Sequence, residues 1–327
     1  MPRLRLAAAA VAWMICAAGV AAHAADAYPT RVIKVINPWP PGGPADLVTR
    51  PMTEVLSQRL GQPVVMENHS GANGTIGATM VANAAPDGYT LLLANMGPTI
   101  LAPQMKPKPP YDSEKDFAPV TLAVNAPTVM IARPDLPFKT IPELISYAKA
   151  HPGKLNYASV GTGSTVHLGM EMLKLSADID LVHVPYKGST PAVTDMLGGN
   201  IDLMFISIAQ GSGFIKTGQL RGIAVSTKAR TAILPDLPTV AETVPGFELN
   251  SWYGFLAPAK TPTEIVEKLS HEIAVIYTAP DTKVPALMRE AGLDPVGNTP
   301  AEYATLIHCE LGYWSKVVEK TGLSADK

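Results

Sequence analysis

The chain has 327 residues, with 26 Lys and Arg against 28 Asp and Glu and a formal net charge of −2. That balance argues weakly against nucleic-acid binding, which requires a basic footprint. It carries two cysteines, Cys16 and Cys309. Cys16 lies in an N-terminal leader, so after its removal no intrachain disulfide is possible. A buried core must then carry stability, and a chain of this length, read as two domains or one large one, can bury enough surface to do so.

The leader is expected over residues 1–24. "MPRLR" is a basic n-region, "LAAAAVAWMICAAGVAA" an apolar h-region, and "AHA" an A-x-A cleavage site. The apolar run is short for a membrane anchor and is closed by small residues. No later run is long enough to span a bilayer. Export removes Arg3 and Arg5 and no acid, so 24 basic residues remain against 28 acidic ones.

Strand-like and helix-like segments then alternate. "RVIKVIN" precedes "ADLVTRPMTEVLSQRL", where Val48, Met52, Val55, Leu56 and Leu60 form one apolar stripe and Pro51 should kink the helix. "PVVMEN", "GTIGATMVANAA" and "YTLLLAN" complete a βαβαβ unit, which implies a mostly parallel sheet. "MKPKPPYDSEKDFAPV" reads as irregular. After "TVMIARPDL" the alternation restarts. Thr140 and Glu143 mark a helix start in "TIPELISYAKAHP". "KLNYASV", "STVHLGMEMLKLSA", "DLVHVPY", "STPAVTDMLGG", "IDLMFIS" and "LRGIAVST" follow. "SWYGFLAPA" and three helices close the chain: "TPTEIVEKLSHEIAVIYTA", "VPALMREAG" and "TPAEYATLIHCELGYWSKVVEKTG".

Both halves repeat one plan of strand, Gly-rich loop and helix: "VIN–PWPPGGP–ADLV" and "YASV–GTG–STVHLGM". Ligands of open parallel sheets bind beyond the carboxyl ends of the strands. The free amides and the dipole of each following helix make an anion site there, each dipole contributing about 0.3–1 kcal/mol at an exposed site. "PPGGPAD" lacks the G-x-G-x-x-G fingerprint and the Lys-Ser/Thr of a P-loop. It reads either as a stiff turn shaped by Pro44 or Asp46, or as one wall of a cleft. In "GTGSTVH" the small residues suit a carboxylate, although Ser164 or Thr165 could serve only as an N-cap and His167 could pack beneath. "HVPYKGS" is either a surface turn before a helix capped by Ser189 or a ligand contact through Tyr186 and Lys187. Asn95, Thr99 and Ser207 fall at strand ends, where ligand-reading side chains belong.

The signal for catalysis is weak: there is no G-x-S-x-G elbow, no H-E-x-x-H and no metal-spaced His/Cys cluster, which leaves only Asp and Glu pairs brought together by the fold. No cofactor is expected.

With these stretches in place, the chain resembles the tripartite tricarboxylate transporter substrate-binding proteins, the Bug-type extracytoplasmic receptors. The resemblance runs over the whole mature chain, through "YPTRVIKVINPWPPGGPADLVTR", "LGQPVVMENHSGANGTIGA", "AAPDGYTLLLAN", "HPGKLNYASVGTGSTVHLGMEMLK", "DLVHVPYKGSTPAVTDMLGGNIDLMF" and "SWYGFLAPAKTP". It implies an α/β, two-lobed periplasmic binding protein fold of type II, with mixed, mostly parallel sheets and a ligand cleft between lobes. Residues 25–127 plus 245–327 would form one lobe and 128–244 the other, with hinges near Ala126 and Val244.

It also implies a periplasmic, monomeric receptor without enzymatic activity. Such a receptor binds a small organic carboxylate and delivers it to membrane permease subunits. A sensory role or a periplasmic hydrolase remains as the alternative. Carried over residue by residue, the ligand loops are Pro41, Gly42 and Gly43, and Gly161, Thr162, Gly163, Ser164 and Thr165, with His167 behind. Asn95, Gly97, Pro185 and Tyr186 are rim residues. Many relatives read "DLMFDN" where this chain reads "DLMFIS". Ile206 in place of the acid disfavours an amino-acid ligand. Together with Ser207 it suits a plain dicarboxylate, or an aromatic acid stacked near Trp39 or Tyr186. Trp39 is a second departure.

Overall fold

A computed structural model describes residues 28–105 and 107–321. The leader expected over residues 1–24 lies outside them. Three parallel strands open the fold: β1 (Ile33–Asn37), β2 (Val64–Asn68) and β3 (Thr90–Asn95), in the order β2-β1-β3. The linkers are α1 (Pro44–Leu60) and α2 (Thr75–Ala82). β1 and β3 read as near-continuous apolar runs because helices cover both faces of a parallel sheet. Val48, Met52 and Leu56 of α1 are fully buried, as the apolar stripe requires. Helix α1 is continuous from Pro44 to Leu60 with Pro51 inside it.

β4 (Phe117–Ala132) is 16 residues long. Its first four residues were expected to be irregular. Pro119 removes one ladder donor, but it sits at a register shift against β9 (Asn250–Pro258), where the pairing tolerates it. β4 changes partner along its length. From Phe117 to Pro127 it pairs antiparallel with β9; from Thr128 to Ala132 it pairs with β7 (Leu203–Ser207), and from Val129 to Ala132 also with β8 (Arg221–Val225).

The second half repeats the first. β5 (Asn156–Ser159), β6 (Val182–Pro185) and β7 run parallel in the order β7-β5-β6. Helices α3 (Ile141–Ala150), α4 (Thr165–Ala177), α5 (Ser189–Leu197) and α6 (Ile208–Lys216) accompany them. The chain returns through Ser226 and Leu249, whose backbones pair, into β9, which lies antiparallel between β3 and β4. The last elements are α7 (Thr263–Thr278), α8 (Val284–Glu290), the short β10 (Asp294–Pro295) on β4, and α9 (Pro300–Thr321).

Helices cover both faces of each half. Val266, Leu269, Ile273 and Ile276 of α7 share one apolar cluster with the α1 stripe, and Tyr277 Oη donates to the Val48 carbonyl at 2.7 Å. A larger cluster joins Val81, Leu144, Leu168, Leu173, Tyr303, Ile307 and Trp314 from α2, α3, α4 and α9. A third packs Val193, Met196 and Ile208 of α5 and α6 onto β7. The carboxyl ends of β1, β3, β5 and β7 then open toward a common space.

Candidate functional site

A cavity of about 280 Å³ occupies that space, at the small end of ligand pockets. Trp39 to Ala45, Asn73, Asn95 and Gly97 line it from the first half. Val160, Ser164 to Val166, Lys187 to Pro191, Phe205 to Ser207 and Gln210 line it from the second. Ala126, Thr128, Ser251 and Tyr253 line it from β4 and β9.

The first loop is built by local bonds. Gly42 adopts φ +89°, a backbone that other residues reach only with strain. Its amide donates to Asp46 Oδ2 at 3.0 Å, and Asp46 Oδ1 accepts from Arg50 Nε at 2.8 Å. Pro44 fills the first helical position. The loop is pinned to the sheet by Asn68 Nδ2, which donates to the Trp39 carbonyl at 2.9 Å. The amides of Gly43 and Ala45, next to the cavity, have no partner among the described residues.

The second loop is held from below. Gly163 adopts φ +75°, and its amide donates to His167 Nδ1 at 3.0 Å. The Gly161 amide donates to Ser159 Oγ at 3.2 Å, and Ser164 N–H donates to the Gly161 carbonyl at 3.1 Å. Ser164 caps α4 through its hydroxyl. Next to the cavity, the amides of Thr165 and Val166 at the start of α4 have no partner among the described residues. At the third loop Gly188, not Ser189, is the N-cap of α5, and the amides of Ser189 and Thr190 have no partner among the described residues. Ser207 is the N-cap of α6. Four helix N-termini therefore face one cavity, each carrying roughly half a positive charge. Among the described lining residues the only formal charge is Lys187, which is exposed and has no ion-pair partner.

Three buried polar atoms of the wall also lack partners: Trp39 Nε1, Asn95 Oδ1 and Ser207 Oγ. Such atoms are costly unless a ligand or water satisfies them. Asn95 is paired across the sheet with Tyr253, whose hydroxyl burial pushes up to about 12. Tyr253 therefore stays a neutral donor. Thr128 Oγ1 is bonded to Ser226 Oγ at 2.7 Å, so that hydroxyl is engaged in joining the two crossing segments.

Trp39, Pro41, Gly42, Gly43, Asn95, Gly97, Ser164, Thr165 and Ser207 come together on the wall, as do Phe205 and Ile206. Gly161, Thr162, Gly163, His167, Pro185 and Tyr186 do not line it. The Tyr186 hydroxyl donates to Asp195 Oδ2 at 2.6 Å, on α5 rather than at the cavity wall. Pro185 ends the exposed edge strand β6. His167 is 2% exposed and lies beneath the loop, where burial and the neighbouring His183 lower it to about 4. It is neutral near pH 7, with Nδ1 free to accept. Sequence reasoning missed Asn73, Thr128, Ser251, Tyr253 and Gln210 as wall residues. Asn73 sits in "GANG", a turn signature; the others carry no local signal.

The family model described as "Tripartite tricarboxylate transporter family receptor" matches residues 48–323. Protein BugT of Bordetella pertussis is 35% identical over 317 residues, covering 96% of this chain and 97% of BugT. The structure of Rpa4515 from R. palustris with adipate superposes with a TM-score of 0.84 at 34% identity, over 91% of this chain and 99% of that one. MatC from Rhodopseudomonas palustris with bound malate gives 0.81 at 34% identity, over 89% and 100%. With matches that run nearly end to end in sequence and in fold, the chain belongs to the tripartite tricarboxylate transporter receptor family.

Proposed function

We propose that the protein captures a small organic acid, a dicarboxylate or an aromatic carboxylate, and delivers it to a tripartite tricarboxylate-type membrane transporter. The observation that carries this reading is the cavity itself. Four helix N-termini, free amides and one lysine face it, and among the described residues no carboxylate does. Such a site holds negative charge with groups that need no reorganisation. The malate and adipate in the similar structures support the same chemistry. Ile206 is packed against Val129 and the small Gly211 of α6 and offers nothing to an ammonium group.

The lobes of this reading are residues 25–127 plus 245–327, and 128–244. The change of partner in β4 at Pro127–Thr128 supports the first hinge. The second hinge is near Val244, on the segment that leads to Leu249 and its backbone bond to Ser226. The leader-like segment supports a periplasmic receptor, and the family supports permease subunits as partners.

Titration calorimetry with adipate, malate, benzoate, aspartate and glutamate tests the reading. A plain acid should bind, with the melting temperature rising by linkage. Tight binding of aspartate or glutamate in preference to every plain acid would overturn the assignment.

A further inference from the structure

The second glycine loop is held at both ends by a pair of stacked histidines. His167 and His183 lie with ring centroids 3.9 Å apart and planes 19° from parallel, and Tyr157 continues the stack. His183 Nε2 is 2.7 Å from Ser159 Oγ, which meets the Gly161 amide and carbonyl at 3.2 and 3.1 Å. His167 Nδ1 accepts from the Gly163 amide. With the Thr162–Gly163 peptide fixed by His167, φ of Gly163 at +75°, and the next peptide tied by Ser164 N–H to the Gly161 carbonyl at 3.1 Å, the Gly163 carbonyl faces the other half. There Asn73 Nδ2 donates to it across the cleft at 3.4 Å, the long end of hydrogen bonding. Asn73 and Ala72 both hold positive φ, 53° and 46°, a backbone that Asn reaches more readily than most residues and that recurs where structure serves function.

We propose that Asn73 and the Gly163 carbonyl form a latch between the two lobes, and that His167 is the residue that positions it. The inference rests on the reading of the protein as a receptor that closes between lobes. Closure shortens the Asn73 contact, and His167 acts only by holding the Thr162–Gly163 peptide, which fixes where the following Gly163–Ser164 peptide, itself tied to the Gly161 carbonyl through Ser164 N–H, presents its carbonyl. The stack beneath supplies the rigidity, since Tyr157 Oη is fixed by Glu171 at 2.5 Å and Glu171 by Lys174 at 2.8 Å.

Pulsed electron–electron spin resonance tests the latch. Labels at Glu54 and Lys216, both exposed, replace those residues in a Cys309→Ser background, since Cys309 is itself an exposed thiol. Asn73→Ala and His167→Phe should each lower the ratio of closed to open protein about 2- to 10-fold, the range of one hydrogen bond. The double variant should fall no further than either one, and His167→Asn, which keeps an acceptor, should retain the closed population. Additive losses in the double variant, or unchanged distances in Asn73→Ala, overturn the proposal. Adding adipate separates the two readings. A closed fraction that ignores adipate and every other acid of the calorimetric panel, yet drops in Asn73→Ala, keeps the latch and removes the carboxylate assignment.

Discussion

Acid should weaken the fold through His167 before it weakens it through the carboxylates. In the unfolded chain this imidazole titrates near 6.5; in the folded protein burial and His183 lower it to about 4. The unfolded state therefore binds the extra proton between those values, so stability rises with pH across the window. The contribution is fully present above about 6.5 and lost as pH falls through about 4. At 1.36 kcal/mol per unit the total is about 3 kcal/mol, with a slope near 1 kcal/mol per pH unit around pH 5. Every charged or titratable group that bears on His167 is part of this sum: His183 and Lys174 oppose its charging, and Glu171 favours it.

The lowered carboxylates, Glu67, Asp112, Glu171, Glu242 and Glu302, lose their share only below about 4.5. Glu310 and Asp294, which burial pushes up, work in the opposite direction. Comparing urea unfolding of the wild type and His167→Phe from pH 7.5 to 4 cancels these common groups. The variant is expected to be less stable at pH 7.5, because the Gly163 amide loses its acceptor at a cost of about 1–3 kcal/mol. Its stability should then fall less steeply with acid than that of the wild type. Parallel slopes for the two proteins would refute the reasoning.

Other perturbations read the cavity and the hinge. Gly43 has φ −93° and room for a Cβ, so Gly43→Val should melt like the wild type while its side chain lowers acid affinity at least about 10-fold by calorimetry. Gly42→Val meets φ +89° instead and should cost about 1–2 kcal/mol in a urea titration. Ser226 is fully buried, donates to the Leu249 carbonyl at 2.6 Å and is bonded to Thr128 Oγ1. Ser226→Ala should therefore cost about 1–3 kcal/mol by denaturation. Lys187→Gln should slow acid association in stopped flow and flatten its dependence on salt, leaving dissociation unchanged. Aspartate should bind at least about 10-fold more weakly than malate, because its ammonium would be buried with no carboxylate beside it.

Much of the architecture was legible because local chemistry and tertiary demand agree. The apolar runs around Val35 and Leu92 mark strands covered on both faces, and the stripe of Val48, Met52 and Leu56 marks a helix laid on them. Pro44 and Ser164 placed two helix starts, since cap chemistry is confined to a few residues. The start of β4 was not legible. Pro119 and the charged stretch before it look like loop, and only the partner strand β9, more than a hundred residues away, makes an extended segment stable there. Tyr253 and Thr128 carried no signal for the same reason: their membership of the cavity wall depends on register across β3, β4 and β9.

The sequence by itself determined the two repeated strand–loop–helix units and the glycines whose backbone the loops require, because φ preference, capping and apolar period act within a few residues. The tertiary structure decided which groups face the ligand space. The Tyr186 hydroxyl bonded Asp195, His167 went beneath the loop to hold Gly163, and Asn73 and Tyr253 came to the wall. Side-chain direction at a strand end or loop depends on the one hydrogen-bond partner that distant chain brings within about 3 Å, and no local pattern encodes that partner.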